Sequence, residues 1–239
     1  MSPKDPDDGS LESIERELGL APGILMGLLE GGDDWSFVIK AHALIESAAN
    51  HLLLAALNEP RLANVLPYLE LSDPRVGKLA IVGALDLLPK PHRQFIHGFS
   101  ELRNRLVHDV AQVGFTFDDY LAHLDKNQRK AFKSTFGGIF AESKGPSTEK
   151  FSGWTEGQPR RLVWSSVLIV VALCYSRKVI ARLDARLAEL KDQEAELNAE
   201  MATTARSLWA SIEKSVRDRG EFVIRKAPAS PQKGSRVDA

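Results

Sequence analysis

Hydrophobic residues recur at three- and four-residue intervals along most of the chain. The strict alternation of a half-buried strand is missing, and no Asn-Gly or Asp-Gly pair joins apolar runs. This pattern predicts an all-α protein. "LESIERELGL", 11–20, reads as a short amphipathic helix. The "GGDD" break follows, where Asp33 or Asp34 can cap "WSFVIKAHALIESAANHLLLAALN". In that helix Phe37, Ala41, Leu44, Ala48, Leu52 and Ala55 form one apolar face. His42, Glu46 and Asn50 form a polar stripe, with His42 and Glu46 expected as a surface pair.

Ser72 or Asp73 with Pro74 marks a helix start, so "RVGKLAIVGALDLL" is expected as one helix. Pro89 and Pro91 end it and open the next, "HRQFIHGFSELRNRLVHDV". Thr116 or Asp118 caps "DYLAHLDKNQRKAFKSTF", which stops at Gly137-Gly138. From Arg160 to about Asp218 there is no Gly or Pro, and one long helix, or two nearly collinear ones, is expected. Its first part, "LVWSSVLIVVALCY", is apolar all round and implies a buried core helix. That run is shorter than the roughly 18–20 residues a spanning helix needs, so a membrane segment is the weaker reading despite basic flanks. Further on, Ile180, Leu183, Leu187, Leu190, Leu197 and Met201 keep a heptad rhythm broken by Glu194. Either a coiled-coil arm or a bundle helix running past its domain fits that rhythm.

The organisation that follows is an acidic N-terminal segment, 1–33, disordered over 1–9, then a helical domain, 34–142. A linker, 143–159, precedes a long C-terminal helix, 160–219, and a flexible basic tail, 220–239.

Composition narrows the chemistry. With 239 residues and a net charge of −1, bulk electrostatics gives no argument for nucleic-acid binding. Cys174 is the only cysteine, so no intrachain disulfide forms. The polar, acidic start lacks a secretory pattern, and a cytoplasmic protein is expected. Cys174 lies in the most apolar run and reads as a buried thiol. No Cys pair or His-x-x-x-His spacing points to a metal, and no Gly-x-x-x-x-Gly-Lys loop points to ATP, so no metal or cofactor is expected.

The stretch "FSELRNRLVHDV", 99–110, carries the sharpest chemistry. On a helix, Phe95, Phe99, Leu102, Leu106 and Val110 share the core face. His97, Glu101, Asn104 and His108 lie about 200° around, nearly opposite it. Arg103 sits beside Asn104. Arginine offers a planar donor fork for phosphate. Histidine titrates near neutrality and serves as general acid or base, worth roughly 10²–10⁴ in rate. Arg103, Asn104 and His108 are therefore candidate catalytic residues for metal-independent attack of an RNA 2′-OH. One such set is thin for an active site, and a twofold axis would supply a second. His97 and His123 read as solvated surface residues.

Arg103-Asn104-Arg105-Leu106-Val107-His108 matches the Arg-Asn-x-x-x-His motif of the HEPN superfamily, helical domains that include many metal-independent RNases. The segment 75–110 resembles mannitol operon repressor-type proteins, and "ALIESAANHLLLAAL" resembles that group's first long helix. The likeness covers about residues 33–142. It implies a HEPN-like helical bundle and a homodimer in which two motifs face one cleft. It also implies catalytic roles for Arg103 and His108, with Asn104 as their polar neighbour. Supporting acidic residues map to Glu46 by stripe geometry, with Glu101 beside it on the motif face. Three functions follow as expectations. The first is an endoribonuclease of toxin or defence type, acting on RNA and held by a protein partner or antitoxin. The second is a non-catalytic regulator resembling mannitol operon repressor. The third is an oligomeric helical scaffold using 178–218.

Overall fold

The computed structural model describes residues 11–142 and 157–218, which fall in two units, Met1–Ala185 and Arg186–Ala239. The expected disorder at 1–9, most of the linker and the tail from 220 lie outside the described residues. Every regular element among the described residues is a helix, so the protein is all-α.

The first unit is built around α3, Asp34–Leu57. Asp33 caps it: its carboxylate accepts the Ser36 N–H at 2.7 Å, which holds its pKa below the usual carboxylate value. The expected apolar face is buried at Phe37, Ala41, Leu44, Ala48 and Leu52, but so are Val38, Ile45, Ala49 and Leu53. A helix buried on more than one face is central, not peripheral. That is why the polar stripe expected on it is not a surface stripe: His42 is buried.

Two short helices precede α3, α1 (Leu11–Glu17) and α2 (Ile24–Glu30). The buried carboxylate of Glu15 accepts the N–H groups of Gly23 and Leu25, at 2.8 and 2.7 Å, and so satisfies the start of α2. Leu25 and Leu28 then join the core.

Helix α4 is Lys78–Ala84, shorter than the helix expected from Arg75 to Leu88. Asp73 spends its carboxylate on the N–H groups of Arg75 and Val76, both at 2.8 Å, and makes a turn instead of a helix start. Gly77 follows, where a Cβ would lie 2.5 Å from the Asp73 carbonyl oxygen, so only glycine fits that approach.

Helix α5, Lys90–His108, opens at Pro89 with Pro91 in its first turn and packs against α3, α4 and α7. Phe95, Ile96, Phe99, Leu102 and Leu106 are buried. Val110, expected on the same face, is 86% exposed. The helix has ended by then: Asp109 is extended and its carboxylate caps a short 3-10 turn, Val110–Gly114.

The helix expected from Asp119 to Phe136 is two. α6, Phe117–Ala122, is capped by Thr116, and α7, Lys126–Gly137, opens at a capping box formed by Asp125 and Gln128. Phe132 and Phe136 of α7 meet Phe95 and Phe99 of α5 and Tyr120 of α6 in one aromatic cluster.

The last helix, α8, is Pro159–Asp218. Leu162, Val163, Val167, Val170, Val171 and Cys174 belong to the core of the first unit, which runs to Ala185. The compact unit therefore takes in the first part of a helix that composition set apart behind a linker. Polar fasteners hold it there. The Arg160 guanidinium takes the carbonyls of Leu28, Gly31 and Gly32 at the end of α2, and Trp164 donates to the Leu25 carbonyl at 2.8 Å. Ser166 donates to the Phe136 carbonyl at 2.7 Å. By length and composition α8 contains a window able to cross a membrane, and half of that window is buried inside the fold. Burial pushes the Cys174 thiol up to about 12, so it stays protonated.

In the second unit, Arg186–Asp218 is helical and its large apolar side chains are exposed, Leu187, Leu190, Leu197, Met201 and Leu208 among them.

Candidate functional site

Helix α5 turns two faces to two environments. Its aromatic face closes the core against α3, and the other carries Glu101, Asn104 and His108. Arg103 and Asn104 are half-buried, and an Arg103 Nη donates to the Asn104 side-chain oxygen at 3.0 Å. This bond fixes one edge of the guanidinium and leaves its other donors for an anion. The neighbouring Arg105 is differently engaged. It donates to the Tyr120 hydroxyl at 3.0 Å and lies over that ring, 5.4 Å from its centre. Of the two arginines in the motif, Arg103 is thus the one paired with Asn104.

His108 is the last residue of α5 and is exposed. Its position is set by the Trp35 indole, which donates to the Leu106 carbonyl at 3.1 Å and ties the last turn to the start of α3. Glu101 is exposed as well, and its carboxylate lies 3.8 Å from the His97 ring nitrogen one turn back. It contributes acidity to this face without touching Arg103 or His108 in any hydrogen bond.

Behind the motif lies a buried polar group that sequence spacing did not reveal. His42 Nε2 and Ser100 Oγ are 3.1 Å apart, and Ser100 Oγ donates to the Ile96 carbonyl at 2.9 Å. Since the serine proton goes to Ile96, the His42 Nε2 proton must be the one donated to Ser100. His42 also stacks on Phe99. Burial, with the positive charge of Arg103 next and Lys78 adding to it, pushes its pKa down from 6.5 to about 4; Glu46 opposes the shift. A neutral His42 is a fixed strut of the α3–α5 contact, not a proton carrier at pH 7.

Glu46, the acidic residue expected to support the motif, is the counterion of Lys78. The Lys78 ammonium is fully buried and donates to Glu46 at 2.5 Å. A buried ammonium needs such a partner. The signal was present in the sequence, since Lys78 sits alone among apolar residues of α4, but its partner on α3 is visible only in the fold.

A basic surface lies on α7, where Lys126, Arg129, Lys130 and Lys133 are exposed at helical spacing. They line an open groove of about 1140 Å³ with Asp118, Leu121 and Leu124. Arg103 and His108 do not line this groove. Among the described residues no cluster of three or more His, Cys, Asp or Glu side chains could hold a metal ion. No family model, curated protein or solved structure matches the chain, so the class shown for it is that of its all-α fold.

Proposed function

We propose that the chain is a HEPN-type, metal-independent endoribonuclease, acting in the cytoplasm as a homodimer in which two copies of the α5 face form one cleft. The observation that carries this reading is the placement of Arg103, Asn104 and His108. Arg103 and Asn104, half-buried and hydrogen-bonded to each other, precede the exposed His108 in the last two turns of a helix whose aromatic face is locked in the core. In the proposed reaction one His108 takes the proton of an RNA 2′-OH, and the 2′ oxygen attacks the adjacent phosphorus. The bond to the 5′ oxygen breaks, and that oxygen receives a proton from the second copy's His108. The products are a 2′,3′-cyclic phosphate and a 5′-hydroxyl. Arg103 neutralises the charge growing on the phosphate oxygens. The basic row of α7 supports the same substrate class, because four cations along one helix suit a phosphate backbone.

The test is cleavage of total RNA in EDTA by wild-type protein beside Arg103→Ala and His108→Ala. Wild type is expected to cut, and each variant to lose roughly 10²–10⁴ in rate. His108 is exposed, so its variant is expected to keep the wild-type melting temperature, whereas Arg103 is half-buried and its variant is compared at a temperature where both proteins are folded. No cleavage by wild type would turn the same face into a contact for a regulatory partner, the role the likeness to mannitol operon repressor-type proteins suggests.

A further inference from the structure

The second unit poses a separate question. Arg186–Asp218 forms about 50 Å of helix at 1.5 Å per residue. Along it Leu187, Leu190, Leu197, Met201 and Leu208 are each 46–58% exposed, and Trp209 and Ile212 are exposed as well. Helices gain most of their stability from burying an apolar face, and this one has its apolar row open to solvent. The row keeps heptad spacing: Leu187, Glu194, Met201 and Leu208 occupy one seam position, Leu190, Leu197, Thr204 and Ser211 the other.

We infer that this row is covered by the same row of a second copy, running antiparallel, with Leu190 against the second copy's Leu208 and Leu197 against its Met201. Polarity decides the orientation. A parallel, in-register pair sets Glu194 on Glu194 and Arg186 beside Lys191, so the seam buries two like charges. The antiparallel register matches apolar to apolar in four layers and sets both Glu194 carboxylates opposite Thr204 hydroxyls, which can donate to them. Its costs are two layers that set Leu187 against Ser211, a Glu200–Glu200 contact and two Arg186–Lys214 contacts on the flanks. Exposed like-charge pairs on the flanks are screened by water and cost little, whereas a register that buries Glu194 against leucine leaves a desolvated carboxylate with no partner. The matched register therefore wins.

This inference does not rest on the nuclease reading, and its test reads mass and cross-linking in place of activity. The full chain is examined by sedimentation, then as Asn198→Cys and Leu190→Cys under mild oxidation, with Glu194 kept in place. Both positions are exposed, and the native Cys174 is buried, so wild type serves as the uncross-linked control. In the antiparallel seam the two copies of residue 198 flank the centre, while the two copies of 190 stand ~27 Å apart along the axis. The expected result is that Asn198→Cys joins two chains covalently and Leu190→Cys does not. Leu197→Asp is expected to weaken this pairing by at least about tenfold, since that residue occupies two layers. A monomeric wild type, cross-linking through Leu190→Cys, or no cross-link through either cysteine overturns the inference.

Discussion

His42 and His108 lie on adjacent helices and in opposite environments. His108 is exposed at the end of α5, while His42 is buried against Ser100 and Phe99. The difference has a thermodynamic consequence. Folding lowers the His42 pKa from 6.5 to about 4, so as pH falls the unfolded chain takes up this proton first. The contribution of His42 is complete above about pH 6.5 and is lost as pH falls toward 4, to an extent of roughly 3 kcal/mol. Arg103 and Lys78 oppose the charged form and Glu46 favours it, so all three must stay intact in the comparison. Urea unfolding of wild type and His42→Gln at pH 7 and pH 4.5 is the measurement. The advantage of wild type over the variant is expected to shrink by about 2 kcal/mol at the lower pH. An equal difference at the two pH values would show that His42 is not held neutral by the fold.

At the scale of elements, packing between α5 and α7 turns on a single glycine. A Cβ added at Gly98 would collide with the Thr135 methyl group across the two helices. Gly98→Ala is expected to destabilise the protein by about 1–3 kcal/mol, and Thr135→Ser beside it to recover most of the loss, because the serine carries no methyl. Thermal unfolding of the three variants checks this, and a neutral Gly98→Ala would mean that the helices slide apart at no cost. Nothing in the sequence marked that contact, which depends on how two distant segments meet. Other elements were legible. The Asp33 and Thr116 caps and the Pro89 helix start use local chemistry, and local chemistry is what a sequence displays. The exposure of His97, Glu101 and His108 on α5 was legible for the same reason, since a helix with one strong apolar stripe leaves the opposite side free, whereas the half-buried place of Arg103 beside His42 was not. What spacing could not supply was the surroundings of α3. Its polar stripe looked external until α4 and α5 were laid over it, which buries His42 and gives Glu46 a buried lysine to neutralise. The break between α6 and α7 was missed because Asp125 and Gln128 read as helix-surface residues until their reciprocal capping bonds are seen.

At the scale of the whole molecule, the proposed chemistry needs two histidines, and each chain places only one His108 on the motif face. On that proposal one turnover needs two copies, which mixing can measure. When wild type is co-expressed with His108→Ala at equal levels, random pairing leaves about a quarter of the dimers with both histidines. If acid and base come from different copies, activity falls to about a quarter of an all-wild-type preparation at the same total protein. If each chain works alone, half the activity remains, because half the chains are intact. As the variant is raised further, the two cases separate more widely, the first following the square of the wild-type fraction and the second the fraction itself. Arg103→Ala in place of His108→Ala extends the experiment. Its mixed dimers keep both histidines and lose only one phosphate-neutralising arginine, so they are expected to retain more cleavage than His108→Ala mixtures of the same ratio. A linear dependence on wild-type chains with both variants would place the whole reaction within one copy and remove the need for a shared cleft.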